Sequence, residues 1–138
     1  MITKTEITRL SFEIIGCAIK VHKNLGPGLL ESIYEKCLKY ELEQAGFQTK
    51  QQITTPIKYG TLSFDCDLRV DLFVNDLIVI ELKAVESVLP IHEAQLITYM
   101  KLLNSPQGLL INFNTLNITQ SFKPILNTKY NFFERKNP

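Results

Sequence analysis

Surplus charge is the first thing this chain lacks. Fifteen lysines and arginines stand against fourteen aspartates and glutamates, a formal net charge of +1 over 138 residues. That balance excludes a global attraction to nucleic acid, so any surface of that kind must be local. Cysteine is scarce as well. Cys17, Cys37 and Cys66 are odd in number and form no CxxC pair, which argues against a disulfide framework or a cysteine zinc site and predicts small buried residues in a reducing compartment. Every apolar run falls far short of the ~20 residues of a membrane helix. Residues 1–11 mix charged with apolar side chains, so neither a membrane span nor a signal peptide is expected, and the expected compartment is the cytoplasm. Repeats, low-complexity tracts and interdomain linkers are missing, and so are phosphate-cradling glycine loops of the Walker or Rossmann type. What remains is ordinary for a soluble globular protein: 45% hydrophobic and 21% charged residues, enough for a single domain spanning 1–138 with one core.

The stretch with most to say is 70–83, Val-Asp-Leu-Phe-Val-Asn-Asp-Leu-Ile-Val-Ile-Glu-Leu-Lys. Two apolar, β-prone runs flank Asn75-Asp76, whose short side chains tolerate left-handed backbone, so the segment predicts a hairpin. Runs without polar alternation are covered on both faces, which places the hairpin inside a sheet. Asp71, Glu81 and Lys83 stand at its open end. Leaving those charges unpaired there is costly, and a divalent cation is the best shared partner.

Period-two geometry puts Glu81 and Lys83 on one strand face. The turn decides where Asp71 goes. A two-residue loop at Asn75-Asp76 pairs Asp71 with Ile80 and turns it away from Glu81; a three-residue loop, 75–77, sets Asp71 opposite Glu81. We expect the odd-length loop or an equivalent bulge. Two carboxylates plus the main-chain carbonyl of Leu82 suit Mg²⁺ (or Mn²⁺), which keeps most of its waters, and Lys83 beside them offsets phosphate charge or orients a water. The alternative is an ordinary cross-strand pair of solvent-facing charges, and D…ExK is too short a pattern to decide between them.

Elsewhere, apolar residues at a 3.6-residue period predict a helix over 5–24, capped by Thr3 or Thr5 and ended by Gly26-Pro27, with His22 as a satisfied or exposed residue in its last turn. A second helix is expected over 29–45, with the stripe Leu30, Ile33, Tyr34, Cys37, Leu38 and Leu42. Residues 47–58 predict an edge strand containing Pro56, and 61–74 a long strand. On an unbroken strand Asp65, Asp67 and Arg69 share the face of Asp71, the two acids supporting the metal ligands or forming a solvated strand end, with Arg69 able to pair with either. Pro90 opens a helix over 91–103 that carries Ile91, Leu96 and Leu103, with Gln95 and Tyr99 on one face and His92 and Glu93 at its start as capping or surface residues. Residues 108–113 predict a further strand, and 118–125 its partner. In the tail, Tyr130, Phe132, Phe133, Arg135 and Lys136 either stack on nucleic acid or pack on the sheet or a second subunit.

Asp71 followed by Glu81-Leu82-Lys83 resembles the signature of the PD-(D/E)XK nuclease superfamily. Gly28-Leu29-Leu30-Glu31-Ser32-Ile33-Tyr34 resembles the motif of its GxxExxY family, with further matches at 25–28, at 91–95 with Tyr99, and at 108–113. Val70 stands where the superfamily's name has proline. The resemblance runs over roughly residues 10–125 in order. It implies an α/β restriction-endonuclease-like sandwich, a central mixed β-sheet flanked by helices, in which a parallel pair joins the ExK strand to the strand near Gly108. It also implies a metal-dependent phosphodiesterase acting on nucleic acid, DNA first. Asp71, Glu81 and Leu82 would hold the metal. Lys83, Glu31, Gln95 and Tyr99 would serve catalysis, Glu31 as auxiliary ligand or water-orienting base. A homodimer is one arrangement suited to cutting both strands. The rival expectations are a catalytically weak nuclease-fold module that binds nucleic acid, or a regulatory partner protein in which the acids are incidental.

Overall fold

The computed structural model describes residues 2–133. Helix α1 (Lys4–Leu25) starts at a capping box, in which Thr3 accepts from the Glu6 amide while Glu6 accepts from the Thr3 amide. It ends at Gly26, whose φ of 73° only glycine adopts freely. Helix α2 (Glu31–Gln44) follows, then strands β1 (Thr49–Tyr59), β2 (Leu62–Val74) and β3 (Ile78–Lys83), helix α3 (Pro90–Leu103), strand β4 (Gln107–Asn112), a 3₁₀ turn (Ile118–Gln120) and strand β5 (Phe122–Leu126).

The five strands form one sheet in the order β1-β2-β3-β4-β5, every pair antiparallel except β3 with β4. The parallel pair is the expected one, with α3 as its crossover. The architecture is the expected α/β sandwich with a mixed sheet between helical layers. Alternation along β3 and β4 divides the core: Ile78, Ile80, Leu82, Leu109 and Ile111 pack with α1 and α2, whereas Val79 and Leu110 pack with Leu96 and Met100 of α3. Gly108 belongs to the second face. A Cβ there would lie 2.6 Å from Met100 Sδ and 2.9 Å from Leu96, so the absent side chain is what lets α3 approach β4.

Several expectations change at the edges. Leu30 and Ile91 are exposed (72% and 66%), and Ile33 is largely so, because the stripes that face the sheet are Tyr34, Leu38 and Leu42 in α2 and Leu96 and Met100 in α3. The three cysteines are half-buried instead of buried. Residues 118–120 form a 3₁₀ turn, and the partner strand of β4 is confined to β5. His22 is satisfied by the Thr115 carbonyl, 2.8 Å from Nε2. His92 caps α3 by accepting from the Leu89 amide, and Glu93 pairs with Lys123. Phe132 packs on the first core cluster and edge-on to Tyr130; Arg135 and Lys136 lie outside the described residues.

Candidate active site

The β2–β3 turn fixes the site. Register pairs Leu72 with Ile80, Phe73 with Val79 and Val74 with Ile78, leaving Asn75, Asp76 and Leu77 as the odd-length loop. Asn75 and Asp76 both take left-handed backbone (φ 53° and 55°), and the Leu77 amide closes onto the Val74 carbonyl at 2.9 Å. The Asn75 carboxamide also accepts from the Gln48 amide, tying the turn to the entry of β1. One further step in that register would set Asp71 opposite Glu81, but the paired ladder ends before it.

At that step the sheet forks. The β2–β3 pairing stops at Leu72 and Ile80, while β3 continues beside β4 to Lys83. The Leu82 amide is taken by Asp71 Oδ2 at 2.7 Å, a carboxylate oxygen standing in for a ladder carbonyl. On its other side β2 is bulged: between the pairs Lys50–Phe73 and Gln52–Arg69, the residues Val70, Asp71 and Leu72 face Gln51 alone. The bulge breaks strand parity, which is why Val70 and Phe73, three apart, both pack on the α3 side. Asp65 and Asp67 are exposed, the solvated strand end of the two expected alternatives, and the Arg69 charge acts on Asp71. Asp67 accepts from Thr54, and Arg69 pairs with Glu35 of α2 at 3.7 Å, not with either aspartate.

Burial sets the electrostatics. Glu81 is 6% exposed, and its Oε2 has no hydrogen-bond partner among the described residues. Burial, then the Asp71 charge, pushes its carboxyl up to about 7, against the opposing pull of Lys83, whose Nζ lies 3.6 Å from Oε1. Asp71 is also raised, mainly by burial and further by Glu31, with the Leu82 hydrogen bond holding it back. Glu31, the first residue of α2, thus reaches both acids through its charge, although no hydrogen bond joins it to them among the described residues. Gln95 donates to Tyr99 Oη at 3.1 Å. This pair lies on α3, Gln95 exposed and Tyr99 half-buried against the second core cluster, and no hydrogen bond links it to Asp71, Glu81 or Lys83 among the described residues.

Residues to which the sequence reading gave no role at the site hold it in place. Tyr34 is fully buried. Its hydroxyl donates to the Gly26 carbonyl at 2.6 Å and accepts from the Leu29 amide at 3.1 Å, so it pins the break that delivers Glu31. Its ring stacks on Phe113 at 4.6 Å, and the Phe113 amide donates to the Lys83 carbonyl at 2.8 Å. Asn112 accepts from the Val85 amide (3.1 Å) and donates to its carbonyl (2.9 Å), fixing the chain just after Lys83. Gln51 donates both to Glu35 Oε1 (2.5 Å) and to the Asp71 carbonyl (3.1 Å). Tyr34 carried a signal as the tyrosine of the GxxExxY-like motif, Asn112 and Phe113 through the match at 108–113, and Glu35 by standing one helical turn after Glu31; Gln51 carried none.

The donor set fits a hard divalent cation. Asp71 lies near enough to raise the Glu81 carboxyl, and Glu81 presents a buried oxygen with no hydrogen-bond partner among the described residues. Among the described residues no three His, Cys, Asp or Glu side chains form a metal-holding group. A cation here would therefore draw on main-chain oxygen and water, as Mg²⁺ commonly does.

No curated protein and no solved structure matches the chain. A family model does match, that of the PD-(D/E)XK nuclease superfamily, over residues 8–125, which takes in α2, the forked hairpin, α3 and β4. With a five-stranded mixed sheet and the Asp71…Glu81-Leu82-Lys83 fork inside the matched span, the chain belongs to the PD-(D/E)XK nuclease superfamily.

Proposed function

We propose that the protein is a Mg²⁺- (or Mn²⁺-) dependent nuclease of the GxxExxY branch that hydrolyses phosphodiester bonds of nucleic acid, with DNA as the first substrate to test. One observation carries this reading: a buried glutamate whose Oε2 has no hydrogen-bond partner among the described residues, near enough to Asp71 for the aspartate charge to oppose its ionisation. Asp71, Glu81 and the Leu82 carbonyl hold the cation, which supplies Lewis acidity and neutralises phosphate charge when bound. Lys83, half-buried beside Glu81, places a positive charge where a phosphate approaching the two acids gains negative charge in its transition state. Glu31 acts as an auxiliary ligand or orients the attacking water, drawing on its electrostatic reach to both acids. Gln95 and Tyr99, already joined to each other, orient the substrate backbone from α3.

The test is cleavage of labelled duplex and single-stranded DNA, and of RNA, by the full chain with Mg²⁺, with Mn²⁺ and with EDTA. Products should form only with a cation. Asp71→Ala should abolish them, and Lys83→Met should slow them by ~10²-fold while leaving cation binding in place. Variants that cut as fast as the parent reject the assignment. Salt-dependent binding without products would instead support a nuclease-fold binding module.

A further inference from the structure

The bulge in β2 leaves the main chain of Asp71 without a regular partner on β1, and one side chain takes up the slack. Gln51 is the single β1 residue facing Val70, Asp71 and Leu72. Its carboxamide nitrogen has two hydrogens, and both are used: one on the Asp71 carbonyl at 3.1 Å, the other on Glu35 Oε1 of α2 at 2.5 Å. Glu35 is also approached by Arg69, but at 3.7 Å and from a guanidinium that is 66% exposed, so that ion pair contributes little and Gln51 is the principal partner. On the opposite side, Asp71 Oδ2 is fixed by the Leu82 amide. Asp71 is therefore gripped twice, through its backbone from α2 and β1 and through its side chain from β3. That grip leaves Oδ1 as the oxygen to share with Glu81.

We propose that Gln51 and Glu35 are positioning residues of the Asp71–Glu81 site: α2 holds Gln51 through Glu35, and Gln51 holds the bulge in the shape that aims Asp71 at Glu81. The inference rests on reading Asp71 and Glu81 as cation ligands, and it assigns a task to two residues that touch neither cation nor substrate. Loss of a group that orients a ligand characteristically weakens metal binding by about 10–100-fold without removing it. Glu35→Gln keeps a carbonyl oxygen that accepts from Gln51, so it should preserve the grip where Gln51→Leu destroys it.

The experiment titrates Mn²⁺ into the full-length parent, Asp71→Asn, Gln51→Leu and Glu35→Gln by calorimetry. It also follows the Leu82 amide proton by NMR without metal, since its resonance reports the bond to Asp71. The expected result is one site in the parent, none in Asp71→Asn, affinity weakened about 10–100-fold in Gln51→Leu with a displaced Leu82 resonance, and near-parent behaviour in Glu35→Gln. A merely structural Gln51 would lower the melting temperature and leave both readouts on the folded protein at parent values, overturning the inference while the cation site stands. A parent that binds no Mn²⁺, or an Asp71→Asn that binds as the parent does, overturns the cation site and the inference together. If Gln51→Leu does not fold, Gln51→Asn, too short to bridge Glu35 and the Asp71 carbonyl, replaces it under the same criteria.

Discussion

Glu81→Gln should stabilise the metal-free protein, and only above the pH at which Glu81 ionises. Folding raises this carboxyl from its ordinary 4.5 to about 7 because burial and the neighbouring Asp71 both oppose its charge. Between those two values the folded protein holds a proton that the unfolded chain has released. Stability from this group is therefore full below pH 4.5 and lost as pH rises through about 7. At about 1.4 kcal/mol per pH unit, the span from 4.5 to about 7 corresponds to about 3 kcal/mol. Glutamine has the same shape and no charge, so it escapes that cost. That figure is already net of the Asp71 repulsion and of the attraction of Lys83, 3.6 Å away. Urea unfolding in EDTA should then show Glu81→Gln more stable than the parent at pH 8 by about 1–3 kcal/mol, with the gap closing toward pH 5. A destabilisation of equal size at both pH values would refute the reasoning, because it would mean that the carboxylate is well accommodated in the fold.

Three further outcomes follow from the same geometry. Mn²⁺ affinity should rise with pH up to about 7 and level off above it, since Glu81 must release its proton to bind, and calorimetry in buffers of different ionisation enthalpy should record that released proton. Gly108→Ala should cost about 1–3 kcal/mol in urea unfolding, because the new methyl meets Met100 at 2.6 Å and Leu96 at 2.9 Å; the flexible methionine puts the expected cost at the lower end. Asn112→Ala strands the Val85 amide and carbonyl and the Asn114 amide; it should cost about 1–3 kcal/mol and speed hydrogen exchange at Val85 and Asn114 ahead of the rest of the sheet.

The hairpin was legible because its turn offers few choices. Asn75-Asp76 marks the reversal, and the apolar runs on either side demand an interior strand pair, so the odd-length loop follows from local chemistry. The parallel β3–β4 pair follows equally from a helix lying between two strands. The β2 bulge could not be read, because nothing in 62–74 distinguishes a regular alternation from one that skips at Val70. Gln51 was silent for a related reason: an amide side chain that bonds to main chain leaves no pattern in spacing or hydrophobicity. Leu30, Ile33 and Ile91 show the opposite error, apolar residues at helical spacing near a helix start that the neighbouring layer does not cover.

The place where the acids sit explains why both carboxyls are raised. Strand β2 runs beside β1 along nearly its whole length but beside β3 only over three residues, so the sheet opens immediately beyond Leu72 and Ile80. Inside the opening the backbone groups of β3 lose their β2 partners, and a carboxylate has to supply at least one of them, as Asp71 does for Leu82. Glu81 stands at the same opening with one oxygen near Lys83 and the other without a hydrogen-bond partner among the described residues. An interior position would have excluded both acids on energetic grounds, and a surface position would have let water satisfy them. The fork is the intermediate case, dry enough to raise both carboxyls, with Glu81 buried and Asp71 half-buried. The Tyr34–Phe113 stack behind it holds Lys83 and the start of α2 at a fixed separation, so the strain cannot relax by the layers drifting apart. On the proposed reading the buried glutamate is a cost without a cation and a ligand with one, and the Glu81→Gln and Mn²⁺ measurements read those two halves of one free-energy difference.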